Sequence, residues 1–117
     1  MQRVVLMLGA AACLFPAVAA GAPGPSDPVV VSLSLKDHRF SPESVTVPAG
    51  RPIRIELANQ DSALEEFDSE DLRVEKDVAP HQELSFTVGP LQPGRYSFMG
   101  ELHSDTASGT LEAVADR

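Results

Sequence analysis

The chain has 117 residues, 17 acidic against nine basic, for a net charge of −8 with histidine neutral. That length has room for one domain beyond a leader, and an acidic surface of this kind repels phosphate backbones, which argues against nucleic-acid binding. Cys13 is the only cysteine, so a disulfide framework is excluded, and no serine has a local base and orienter that would make a stand-alone hydrolase.

Residues 1–20 read as a cleaved secretory signal: Arg3 is the only charge, residues 4–18 are apolar, and Ala17-Val18-Ala19-Ala20 offers small-residue cleavage sites. Cleavage is expected after Ala20, with Ala19 and Ala22 as alternatives. Gly9 and Pro16 interrupt the apolar run, which is short for a membrane span. Ala10, rather than leucine, stands three positions before Cys13 and argues against a lipoprotein anchor. Cleavage removes Arg3 and Cys13, takes the net charge from −8 to −9 and leaves a domain with no thiolate for a metal. Residues 21–28 form a Pro/Gly linker, and residues 29–117 form the domain.

Residues 29–35 alternate apolar and small polar types, predicting a strand with Val29, Val31, Leu33 and Leu35 on one face. Val45 and Val47 mark a second strand, stopped by Pro48-Ala49-Gly50. Ile53, Ile55 and Leu57 alternate with Arg54 and Glu56, the pattern of a half-buried antiparallel strand. Residues 59–76 show no period of two. A helical turn over residues 62–67, capped by Asp61 or Ser62, is expected there, with Leu64, Phe67 and Leu72 anchoring it. This segment also holds Asp61, Glu65, Glu66, Asp68, Glu70, Asp71, Glu75 and Asp77 against only Arg73 and Lys76, and a charge run of this kind reads first as a solvated loop. Leu84, Phe86 and Val88 line a further strand, Tyr96 and Phe98 another, and residues 109–114 close the domain. About seven short strands with turns between them predict an all-β, antiparallel Greek-key β-sandwich with one short helical turn or irregular acidic loop.

The chemistry-bearing stretch runs from Tyr96 to Gly109. On an extended backbone Met99, Glu101 and His103 share one parity and point one way, a thioether, a carboxylate and an imidazole together. Three donor types at a strand end form a metal-site pattern. Met99 also reads as an adaptable packing group, and both roles stay open.

Pro93-Gly94-x-Tyr96-x-Phe98, then His103, then Gly109 resembles the C-terminal half of the cupredoxins. Laid on the blue-copper pattern, His103 falls on a histidine ligand, Gly100 on the cysteine and Ser108 on the methionine. Where the other histidine ligand follows an asparagine, this chain has Glu65-Glu66-Phe67 after Asn59. A blue site needs a copper–thiolate bond, and none is available. Lys36-Asp37-His38-Arg39-Phe40-x-Pro42, Glu65-Glu66-Phe67-x-Ser69, Glu75-Lys76 and Gly100-Glu101-x-His103-x-x-Thr106-Ala107-x-Gly109 resemble the EfeO-type cupredoxin-like domain. That group includes the small FtrB-like periplasmic cupredoxins of bacterial ferrous-iron uptake. His81 departs from it, since glycine more often follows the equivalent of Pro80.

The resemblance implies a periplasmic protein that binds copper, iron or both, supports ferrous-iron uptake with an accessory part in Fe(II) oxidation, and works with a membrane iron permease and other periplasmic uptake components. The metal ligands it suggests are His103, Glu101, Glu66 and Met99, with Glu65 able to exchange roles with Glu66; His38 is given a structural role. Two alternatives stand beside it: a periplasmic copper chaperone or storage protein relying on Met99, His103 and His38, and a metal-free β-sandwich interaction domain.

Overall fold

A computed structural model describes residues 27–115; the predicted signal peptide and most of the linker lie outside them. The alternation of residues 29–36 becomes β1 (Val29–Lys36), which buries Val31, Leu33 and Leu35 and turns Val30 and Ser32 outward. The other strands are β2 (Arg39–Ser41), β3 (Ser44–Pro48), β4 (Ile53–Asn59), β5 (Glu65–Ser69), β6 (Val74–Val78), β7 (Glu83–Val88), β8 (Gly94–Gly100) and β9 (Ser108–Val114). They form two facing sheets, in the orders β2-β1-β4-β7 and β3-β9-β8-β5-β6.

The all-β sandwich is as the sequence predicts, with two corrections. The sheets are mixed rather than purely antiparallel: β1 runs parallel to β4 and β3 parallel to β9. Each parallel pair is separated along the chain by other strands, the crossover that parallel neighbours require. Residues 65–69 are a strand rather than part of a helical turn, held between β6 and β8. Its inward positions are Glu65, Phe67 and Ser69, so only one apolar residue marks its period. Leu64, expected to be an anchor, is exposed, while Phe67 and Leu72 are buried.

The core interleaves Leu33, Leu35, Ile53, Ile55 and Leu57 from one sheet with Val47, Phe67, Phe98 and Leu111 from the other. Each such side chain contributes about 1.5–3 kcal/mol through burial. Phe67 stacks on Phe98 with ring centroids 5.2 Å apart, and Phe40 meets both rings edge-on. Gly109 makes room for this cluster, since a Cβ there would lie 2.5 Å from Phe98 Cζ. Above the aromatic cluster, the β1–β2 turn, the β4–β5 loop and the β8–β9 loop converge at one end of the sandwich, tied by Asp61 to residues 37 and 38 and by Thr106 to His38.

Candidate metal centre

Glu65 opens β5 and points inward, with only 3% of its surface exposed. A buried carboxylate needs donors on its oxygens, and three are supplied. The backbone N–H groups of Glu66 and Leu102 each donate to Oε1 at 3.0 Å. His103 Nδ1 lies 2.7 Å from Oε2. This hydrogen bond to a buried carboxyl fixes the orientation of the His103 ring.

The β8–β9 loop is shaped around this carboxylate. The strand ends at Gly100, and Glu101–His103 form a 3-10 turn. Parity on an extended backbone therefore does not govern Glu101 and His103, and the expectation that they align with Met99 is corrected. A Cβ on Gly100 would lie 2.6 Å from Glu65 Cδ and 2.9 Å from Ala107 Cβ. The His103 carbonyl accepts from the N–H groups of Thr106 and Ala107, and Gly100 N–H donates to the Ala107 carbonyl. In the Gly-Glu-x-His-x-x-Thr-Ala-x-Gly pattern every fixed position but Glu101, which joins the outer acidic face, thus has a physical reason in this loop. Gly100 leaves room for Glu65, His103 supplies the imidazole, Thr106 and Ala107 close the loop, and Gly109 leaves room for Phe98.

His38 sits at the two-residue β1–β2 turn, where Asp37 and His38 both have positive φ, 54° and 56°. Such a turn normally takes asparagine and glycine, and a histidine is an uncommon residue there. Asp61 supports it: its Oδ1 accepts from Asp37 N–H at 2.8 Å and its Oδ2 from His38 N–H at 2.9 Å. Thr106 Oγ1 donates to the His38 carbonyl at 2.7 Å. Desolvation alone would raise the Asp61 carboxyl, but the two backbone N–H bonds, from His38 and Asp37, and the imidazoles of His38 and His103 hold it below its ordinary value. Buried Asn59 orders the loop beneath, its Oδ1 accepting from Asp61 N–H and its Nδ2 donating to the carbonyls of Ala63, Val78 and Ala79.

So clamped, the His38 ring stacks on His103, centroids 3.7 Å apart and planes within 12° of parallel. The structural role expected for His38 is therefore joined by a place in the site. Its distance from residue 103 in sequence concealed this, and the one local signal was an unusual residue in a tight hairpin.

The other predicted ligands lie elsewhere. Glu66 faces outward beside buried Glu65. It groups with Glu75 and Glu101, carboxylate oxygens within 4.8 Å of one another. The Glu66 carboxyl is pushed up to about 7, first by a hydrogen bond with Glu75, then by desolvation and the charges of Glu75, Glu101 and Asp77. Glu101 is raised chiefly by the charge of Asp68 and a hydrogen bond with it. Met99 is paired across the sheet with Asp68 and is 40% exposed. His81 is exposed at the β6–β7 turn, its N–H donating to the Asp61 carbonyl. The structure thus brings Glu66 and Glu101 together on the outer face and His103 together with Glu65 and His38 inside.

The ligand atoms of His38, Glu65 and His103 lie within 4.8 Å of one another. Two imidazoles and one carboxylate suit Cu(II) and, with open positions, Fe(II). The Glu65 carboxylate fills the space that a side chain at position 100 would need.

Comparison with known proteins accords with this architecture. The family model of the cupredoxin-like domain matches residues 4–113. An uncharacterized protein of Rickettsia prowazekii (strain Madrid E) is 44% identical over 81 residues, which are 69% of this chain and 65% of that protein, so the chain spans about two thirds of the relative's length. Among solved structures, auracyanin A, a "blue" copper protein of Chloroflexus aurantiacus, aligns with a TM-score of 0.65 at 14% identity, covering 75% of this chain and 100% of that one. The metal-binding domain of a Cu(I)-exporting P-type ATPase of Streptococcus pneumoniae aligns at 0.62 and 16% identity, covering 78% and 99%. A copper-containing nitrite reductase of Thermus scotoductus aligns at 0.61 and 13% identity, covering 78% of this chain and 28% of the reductase. At these identities the solved structures show a shared fold.

Proposed function

We propose that this chain, which belongs to the cupredoxin-like domain family, is an exported periplasmic protein that holds a copper or iron ion between His38, Glu65 and His103 in support of ferrous-iron uptake. The observation that carries the reading is the buried Glu65 carboxylate, fixed by two backbone N–H groups and set 2.7 Å from His103 Nδ1. Such an investment in orienting one imidazole is the arrangement of a metal-ligating histidine and its carboxylate. Copper is supported by the copper proteins among the structural neighbours. Iron is supported by the donor set and by the resemblance to EfeO-type domains, which also supplies the periplasmic location, the cleaved signal and a membrane iron permease as partner.

A bound copper ion supplies one-electron chemistry, and carboxylate and imidazole donors favour the oxidised ion over the reduced one. Glu66 and Glu101, together with Glu75, are assigned to an outward patch that draws cations toward the molecule. The test is metal titration of the stripped mature protein. One equivalent of Cu(II) or iron is expected without intense blue absorption, and His103→Ala should lose at least about 10–100-fold in affinity. Uptake of neither ion, or equal affinity in the variant, sinks the reading. For the pathway, radiolabelled iron uptake in a strain lacking the protein should be restored by the wild type and not by His103→Ala.

A copper carrier is a second reading, supported by the likeness to the metal-binding domain of a Cu(I)-exporting ATPase. It requires tighter binding of Cu(I) than of Cu(II), which the same titration under reducing conditions decides.

A further inference from the structure

We infer that His38 is a metal ligand that the site gains only when its ring turns off His103. The inference rests on the reading of this site as a metal centre and concerns how that centre assembles. The two rings are stacked, 3.7 Å between centroids and 12° from parallel. An imidazole nitrogen binds a metal through a lone pair in its own ring plane, at about 2 Å. In stacked rings those lone pairs run side by side and do not converge. An ion in the plane of His103, on either ring nitrogen, therefore lies outside the plane of His38. Distances among the three donors permit a shared ion; the direction of the His38 lone pairs does not.

What must move is confined to one side chain. The His38 backbone is pinned at both ends, N–H to Asp61 Oδ2 at 2.9 Å and carbonyl to Thr106 Oγ1 at 2.7 Å. The ring itself is 42% exposed, and beyond the stack its Nδ1 lies 3.5 Å from Asp61 Oδ2, too long for a good hydrogen bond. His103, by contrast, is held at 2.7 Å by buried Glu65. The centre therefore has a rigid half, Glu65 with His103, and a rotating half, His38 on a fixed turn. Ions that favour nitrogen donors, such as Cu(II) and Zn(II), recruit the second imidazole, whereas hard ions such as Mg(II) leave it stacked.

Pulsed EPR of the Cu(II)-loaded mature protein tests this by counting coordinated imidazoles. Two are expected in the wild type and one in His38→Phe, a variant that keeps an aromatic ring over His103 and removes the donor. The variant should also lose about tenfold or more in Cu(II) affinity. In parallel, proton NMR of the metal-free protein should show ring-current-shifted imidazole signals that lose the shift on saturation with Zn(II) and keep it with Mg(II). One imidazole in the wild type, or shifts that persist with Zn(II), overturns the inference while leaving the metal centre standing. Absence of Cu(II) uptake by the wild type overturns both, so the two failures are told apart.

Discussion

Glu65 and Glu66 are the same amino acid at adjacent positions, and β5 gives them opposite environments. Glu65 is buried, with three nitrogens on its oxygens. Glu66 is turned outward among Glu75, Glu101 and Asp77, where its carboxyl is raised to about 7. Pairing across the sheet deepens the contrast: Glu65 lies opposite buried Val78, but Glu66 lies opposite Asp77, and Asp68 opposite Glu75. Like charges set directly across strands are unfavourable. The inner face therefore uses a carboxylate as a fixed part of the architecture, while the outer face concentrates negative charge at some cost in stability. A shift of one residue in register would exchange the two.

The sharpest way to break this contrast is to truncate each member. Glu65→Ala leaves the N–H groups of Glu66 and Leu102 and the His103 ring without their acceptor. A loss of about 2–4 kcal/mol is expected in denaturant unfolding. Glu66→Ala removes a carboxylate crowded by Glu75, Glu101 and Asp77 and should not destabilise the fold. Equal losses would mean that the inward carboxylate is no more structural than the outward one.

Next in size is Gly100→Ala. Its Cβ would stand 2.6 Å from Glu65 Cδ, so overpacking should cost about 1–3 kcal/mol and push Glu65 off His103. The crystal structure of the variant checks the displacement, and an unmoved Glu65 would contradict the steric account. Asp61→Ala removes the acceptor of two turn N–H groups, for about 1–2 kcal/mol. The folded Asp61 carboxyl lies below its ordinary 3.8, so its contribution is present above that pH and lost as acid protonates it. The variant should accordingly show a weaker acid dependence.

The smallest effect sharpens the outer face. Glu66 is raised from 4.5 to about 7, so between these values the folded state binds more protons than the unfolded state, and stability falls as pH rises through that window. Glu66→Gln should flatten this slope in unfolding curves measured from about pH 5 to about pH 8. A slope unchanged in the variant would remove Glu66 as its source.

The fold was legible in the sequence where side chains alternate cleanly, as in β1 and β4, and the loop closing with Gly109 pointed to His103. The strand β5 was not legible. There the inward face carries Glu65 and Ser69, polar groups whose burial is secured by hydrogen bonds from other segments, the N–H groups of Leu102 and Leu72 among the donors. The choice between Glu65 and Glu66 turned on register, which an aperiodic segment does not reveal. His38 was hidden for a different reason: its partnership with His103 is made by the meeting of two loops from opposite ends of the chain, and hydrophobic patterning carries no trace of it. The turn from Glu101 to His103 likewise defeated a parity argument that holds only for extended backbone.

If the inward carboxylate, and not its neighbour, belongs to the metal centre, the two glutamates must differ in what they do for a bound ion. A Cu(II) competition titration of the wild type, Glu65→Gln and Glu66→Gln at one pH decides this. Glu65→Gln is expected to weaken Cu(II) binding by at least about 10–100-fold, while Glu66→Gln stays within about threefold of the wild type. A strong loss in Glu66→Gln with Glu65→Gln unaffected would place the ion on the outer face and contradict the assignment of Glu65.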